Sequence, residues 1–146
     1  MKAFEKLARQ KKYKKIKFKV LKSQHLVLKA KINGIKGNFI LDTGASNTCI
    51  SSDKTDYFQL QTKASETKAA GAGAINMETQ IAKNSCVVIG KWKIKKMHLV
   101  VFDMLHVNQA LENYCKKPVS GIIGADILTQ GKAIIDYKNQ HLFLKK

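Results

Sequence analysis

Phe39-Ile40-Leu41-Asp42-Thr43-Gly44-Ala45-Ser46 runs three apolar residues into a carboxylate and then at once into Thr-Gly. An ionised carboxylate is costly to take out of water unless other hydrogen-bond donors replace the water, and the residues that follow can supply them. Gly44 permits a tight bend that leaves its N–H free to donate to Asp42, and Thr43 adds a hydroxyl. A strand ending in such a turn would present a preorganised acid. Just upstream, Asn33-Gly34 is a strong hairpin signal, because both central positions of a type I′ turn need positive φ. The apolar run before Asp42 is therefore the second arm of a hairpin whose first arm is residues 26–32.

Working further outward, Ile16, Phe18 and Val20 alternate with Lys17 and Lys19, which predicts a strand with one dry face over residues 16–20. Ser23-Gln24-His25 is a turn, and Leu26, Leu28, Ala30 and Ile32 resume the alternation. Three antiparallel strands are thus predicted by residue 41. Later apolar runs at 81–89, 92–102 and 133–144 are strand-length and rich in Val and Ile, with turns at Gly90-Lys91 and Lys138-Asn139. Helical patterning is confined to residues 1–12, where Phe4, Leu7 and Ala8 share a face, and to the short stretches 52–60 and 125–130, the latter closed by Gly131. Residues 62–74, small and polar, have the composition of an exposed loop. The predicted fold class is mainly β with one or two short helices.

At 146 residues the chain can build one sizeable core and little more, and 45% apolar with 25% charged residues excludes wholesale disorder. The anomaly is a net charge of +17, unevenly placed: residues 1–38 carry 13 of the 27 Lys and Arg against Glu5 alone. We divide the chain into a basic N-terminal extension, 1–15, and a domain, 16–146. Such a charge attracts polyanions but says little about fold. No apolar run is long enough for a transmembrane segment and the N-terminus is too charged for a signal peptide. Cys49, Cys86 and Cys115 are odd in number and widely spaced, so reduced thiols and a cytoplasmic location are expected. His25, His98, His106 and His141 show no metal-ligand spacing. No metal and no cofactor is predicted. Cys49 suits a buried small apolar position, and Trp92 suits a core face whose flanking lysines stay in water.

Asp42-Thr43-Gly44-Ala45-Ser46 resembles the catalytic signature of aspartic proteases, in particular the single-lobe, bacterial-type retropepsin-like family. Gly121-Ile122-Ile123-Gly124-Ala125-Asp126 resembles the second hallmark of that family, in which the glycine matching Gly124 packs against the active-site loop. Residues 133–137 and 141–144 resemble its last hairpin, so the likeness extends over about 16–144. It implies a retropepsin-like lobe closed by homodimerisation. Asp42 would be catalytic, Thr43, Gly44, Ala45, Ser46 and Gly124 would support its loop, and Ala69–Ala74, with Gly71, Ala72 and Gly73 at its tip, would be a flap over a polypeptide substrate. No aromatic residue stands near that tip, unlike pepsin-like flaps. Asp126 is read as the cap of the short helix that it opens.

The reaction implied needs two carboxyls sharing a proton around a water. None of Asp53, Asp56, Asp103, Asp126 or Asp136 is followed by Thr-Gly or Ser-Gly, so the second must come from Asp42 of another copy. Two carboxylates about 4 Å apart at an effective dielectric of about 20 repel by roughly 4 kcal/mol, which keeps one of the pair protonated. Two other readings compete. One keeps the fold and loses the reaction, leaving a catalytically inactive module that binds peptide or protein. The other uses the lysines of residues 11–22 as a basic nucleic-acid-binding β domain, against which those lysines alternate along a strand without an aromatic platform.

Overall fold

The computed structural model describes residues 2–64, 69–71, 74–77, 79–115 and 117–146. In chain order the elements are α1 (Lys2–Gln10), β1 (Lys14–Lys17), β2 (Lys19–Val20), β3 (Leu26–Ile32), β4 (Ile35–Leu41) and β5 (Cys49–Ser51). A 3-10 turn (Ser52–Lys54) leads to β6 (Thr62–Ala64), β7 (Ala69–Gly71), β8 (Ala74–Met77), β9 (Gln80–Ile89) and β10 (Trp92–Phe102). Then come α2 (Leu105–Leu111), β11 (Gly121–Ile123), α3 (Ala125–Gln130), β12 (Ile134–Asp136) and β13 (His141–Leu144).

The large sheet runs β2-β3-β4-β11-β5-β10-β9-β6, and a further pairing of β3 with β9 closes its six inner strands into a barrel. β2 and β9 share one edge of β3, β2 at Leu26 and Val27 and β9 at Lys31 and Ile32. The hairpin of β3 and β4 turns at Asn33 (φ 52) and Gly34 (φ 82), the left-handed pair that its sequence requires. The Asn33 side chain also donates to the Phe58 carbonyl (2.9 Å) and accepts the Cys86 N–H (2.9 Å), fastening the turn to β9.

β11 threads between β4, to which it is parallel, and β5, to which it is antiparallel. Residues 39–41 of β4, and all of β5 and β11, are buried on both faces. Phe39, Leu41, Ile50 and Ile123 point into the barrel core with Trp92, Leu99 and Leu142, whereas Ile40, Cys49 and Ile122 face a second cluster with Phe102, Met104 and Leu111 of the α2 region. Double-sided burial explains why Phe39-Ile40-Leu41 and Gly121-Ile122-Ile123 are continuous apolar runs where an exposed sheet would alternate.

The strand expected over 16–20 is divided between two sheets. β1 pairs with β13 in a small sheet of order β1-β13-β12, and the chain crosses at Phe18, whose N–H donates to the Gln140 carbonyl (3.1 Å), before β2 joins β3. Ile16 and Phe18 stay buried and Lys15, Lys17 and Lys19 exposed, so the alternation holds across the break. α1 lies on the small sheet through Phe4, whose ring meets Phe143 edge-on at 5.4 Å, and through buried Ala8. Leu7, expected on that face, is instead exposed.

Other departures are local. Residues 52–60 form only the 3-10 turn followed by further turns, and 62–64, 69–71 and 74–77 are strands where a loop was expected. α2 has no counterpart in the sequence reading. Along β10, irregularities between Ile94 and Met97 and between Met97 and Leu99 shift the alternation, which puts Met97 and Leu99 inside and leaves Lys96 in water. Among the described residues no helix is long and apolar enough to cross a membrane.

Candidate active site

Asp42 follows the last residue of β4, and its backbone N–H donates to the Ile123 carbonyl at 3.0 Å, which ties the acid to the end of β11. Its side chain is half-buried and its Oδ1 accepts the Gly44 N–H at 2.9 Å. The tight turn expected at Gly44 is present, closed by the Ala45 N–H on the Asp42 carbonyl (3.2 Å). It is made without a left-handed residue, since no residue from Asp42 to Ser46 has a positive φ. What restricts position 44 is proximity: a Cβ there would lie 3.3 Å from Asp42 Oδ1. Thr43 and Ser46 are exposed, and the Thr43 hydroxyl makes no bond among the described residues. Ala45 is buried, and its carbonyl accepts the Ala125 N–H at 2.7 Å.

Gly124 stands beneath this loop. A Cβ on it would lie 2.7 Å from the carbonyl oxygens of both Ala45 and Asn47, contacts that backbone cannot relieve cheaply. Gly121, at the other end of β11, is tighter still, 2.2 Å from the Cys49 carbonyl. The two glycines are therefore what lets β11 slot between β4 and β5 with the loop folded over its end.

Two residues complete the scaffold that sequence reasoning did not place. Asp126 is not the helix cap expected of it; Gly124 occupies the N-cap position of α3, with no side-chain cap bond. The Asp126 carboxylate instead accepts the Thr48 N–H (3.0 and 2.9 Å to its two oxygens), the Thr48 hydroxyl (2.7 Å) and the Ile127 N–H (2.7 Å). Thr48, fully buried, uses the same hydroxyl oxygen to accept the Gly124 N–H at 3.1 Å. A continuous relay thus runs from Gly124 through Thr48 to Asp126 and locks the exit of the Asp42 loop to α3. The available signal was a Thr six residues after Asp42 and an Asp two after Gly124.

Cys49 is buried beside this scaffold, as expected of a small apolar position. Burial first, then the Asp126 and Asp42 carboxylates, pushes its thiol up to about 12, so it remains protonated at neutral pH. Of the flap residues, Gly71 ends β7 and pairs with Ala74 of β8 in a separate antiparallel hairpin, while Ala72 and Gly73 lie outside the described residues. No three His, Cys, Asp or Glu side chains among the described residues are grouped to hold a metal ion.

The family profile described as aspartyl protease matches residues 28–127, which contain Asp42, the relay and Gly124. A search of curated protein sequences finds no match. Among solved structures, the chain is similar to a retropepsin-like aspartic protease from Rickettsia conorii, with TM-score 0.60 and 20% identity over 90% of this chain and 91% of that one. It is also similar to the EIAV protease complexed with the inhibitor HBY-793, with TM-score 0.56 and 23% identity over 75% of this chain and 90% of that one. A retroviral protease-like domain from Leishmania major gives TM-score 0.56 and 17% identity over 82% and 87% of the two chains. The fold is accordingly the retropepsin-like single lobe.

Proposed function

The chain belongs to the aspartyl protease family, and on that footing we propose that it is an aspartic endopeptidase acting as a homodimer, with Asp42 of each subunit forming the catalytic pair. The observation that carries this reading is the loop itself: Asp42 held at the end of β4 by the Gly44 N–H, with exposed Thr43 beside it. One lobe supplies one such loop, and the chemistry needs two carboxyls. A two-fold axis beside the loop supplies the second and lets each Thr43 hydroxyl meet the partner's loop.

In the pair, one carboxylate takes a proton from the attacking water while the other, protonated, donates to the oxygen of the scissile carbonyl. The resulting tetrahedral diol collapses as the C–N bond breaks and the first carboxyl returns its proton to the leaving amine. An extended polypeptide would lie under the hairpin of β7 and β8, with Gly71, Ala72 and Gly73 as the tip of the flap and its backbone paired as an added strand. Ala45, Ser46 and Gly124 serve as loop support. Residues 16–146 form the protease lobe and 1–15 its basic extension.

Sedimentation of wild type and Asp42→Asn at micromolar and lower concentrations, beside a peptide-cleavage assay across pH, tests this reading. We expect a dimer in both and pepstatin-sensitive cleavage with a bell-shaped pH profile in the wild type alone. A strict monomer, or a stable dimer that cleaves nothing at any pH, would replace it with the inactive peptide-binding module.

A further inference from the structure

Away from Asp42, on the outward side of β3 and β4, lies a cavity of about 650 Å³ with Lys29, Lys31, Lys36, Lys54, Lys117 and Tyr57 in its lining and no acidic residue. Lys36 is six residues before Asp42 on β4, so at about 3.3 Å per residue the two stand about 20 Å apart along the strand. Nothing in the proposed peptidase chemistry uses this place.

Three observations set it apart from a solvated lysine face. Lys31 and Lys36 are direct cross-strand partners, an arrangement of like charges that costs a hairpin stability in the absence of a counterion. The ion pairs among the described residues are Glu5 with Arg9 and Glu5 with Lys15, so no described carboxylate neutralises any of the five cavity lysines. The wall is also fixed, because the Tyr57 hydroxyl donates to the Lys36 carbonyl (2.8 Å) and Lys54 Nζ stands 5.1 Å from the centre of the Tyr57 ring. That contact ties the segment after the 3-10 turn to β4 and holds Lys54 against the strand lysines.

We propose that this cavity binds a polyphosphate chain, as inorganic polyphosphate or as the triphosphate of a nucleotide, at a site distinct from Asp42. Charge and shape both favour such a chain. A single phosphate would engage one or two of five ammonium groups spread around a cavity of this size, whereas a run of phosphates offers each lysine an oxygen. Lysine, a mobile point charge with three donors, tolerates a flexible chain in variable register better than a planar guanidinium fork would. The bound anion relieves the repulsion between Lys31 and Lys36 and stabilises the folded chain by linkage.

The test is calorimetric titration of the full chain with inorganic tripolyphosphate, with ATP, with a single-stranded oligonucleotide and with a poly-glutamate peptide at equal ionic strength. The variants are the triple Lys31→Gln/Lys36→Gln/Lys54→Gln, a control with the same charge loss outside the cavity, Lys93→Gln/Lys95→Gln/Lys96→Gln, and Asp42→Asn. We expect tripolyphosphate to bind, with affinity at least about tenfold weaker in the cavity triple and little changed in the control triple and in Asp42→Asn. ATP binding as tightly as tripolyphosphate identifies a nucleotide as a competent source, and ATP binding more weakly identifies inorganic polyphosphate. Thermal unfolding without ligand shows whether the cavity triple is folded, and relief of the Lys31–Lys36 repulsion predicts stability at or above wild type. No binding of tripolyphosphate, equal loss in both triples, or tighter binding of the oligonucleotide or poly-glutamate would overturn the proposal.

Discussion

Thr48 has no place in the proposed chemistry, yet its hydroxyl joins the two halves of the site. Thr48→Val keeps the shape and removes both the acceptor for the Gly124 N–H and a donor to Asp126, leaving buried polar groups unpaired at a cost of about 1–3 kcal/mol. Thr48→Ser, which keeps the hydroxyl, should cost clearly less, and denaturant unfolding of the pair checks this. Gly124→Ala should cost a similar about 1–3 kcal/mol by overpacking, since its Cβ meets two backbone carbonyls that cannot turn aside. The Cys49 thiol, pushed up to about 12 by burial and two carboxylates, should resist iodoacetamide at pH 8 in the folded chain. Peptide mapping by mass spectrometry should find alkylated Cys86 and Cys115, both half-buried, and Cys49 labelled only after denaturation. The turn at Asp42 was legible because the bonds that close it, from the Gly44 and Ala45 N–H groups, lie within four residues. Asp126 was misread because the group it serves, Thr48, is 78 positions away in sequence.

The elements divide along the same line. β3 and β4 announce themselves, since alternation and Asn33-Gly34 are both short-range signals. α2 does not: among its residues only Leu111 is fully buried, and its apolar pattern of Met104, Val107 and Leu111 is too sparse to stand out after an 11-residue strand. Its start is instead marked by Asp103, whose carboxylate accepts the Leu105 N–H at 2.9 Å. The split of β1 from β2 was equally hidden, because one alternating pattern serves both sheets. α1 is held by Phe4 and Ala8 and by Glu5, which bonds Lys15 of β1 and lies 3.7 Å from Arg9. The hydrogen bond from Lys15, opposed by desolvation and aided by the charges of Lys15 and Arg9, holds the Glu5 carboxyl below its ordinary value of 4.5. With the folded value depressed, the folded chain binds fewer protons than the unfolded one in that window. The contribution of Glu5 is therefore complete above about 4.5 and is lost as pH falls through the folded value. Thermal unfolding of wild type and Glu5→Gln should differ at pH 7 in favour of wild type and converge on acidification. A difference that grew towards acid would show that Glu5 does not anchor α1.

At the scale of the whole molecule, the closed barrel places the Asp42 loop beyond the end of β4 and the lysine cavity along its outer face. Barrel closure was not legible in the sequence, because the pairing that makes it joins Lys31 and Ile32 to Val88 and Val87 over more than 50 residues. The second carboxyl is not legible in one copy at all, since the proposed site exists only between two. That proposal makes a quantitative demand on mixtures. If wild-type and Asp42→Asn chains are mixed and allowed to exchange, a dimer has two intact carboxyls only when both of its subunits are wild type. Random pairing then makes activity fall as the square of the wild-type fraction: an equal mixture retains about one quarter of the activity of the same total concentration of wild type. A chain that cleaves with its own groups would retain about half. Total chain concentration must be fixed well above the dimer dissociation constant, so that dilution of wild type does not itself break the dimer. Cleavage rates across the mixing series, read at the pH of maximal activity, decide between a square and a line, and a line would remove Asp42 of the second subunit from the mechanism.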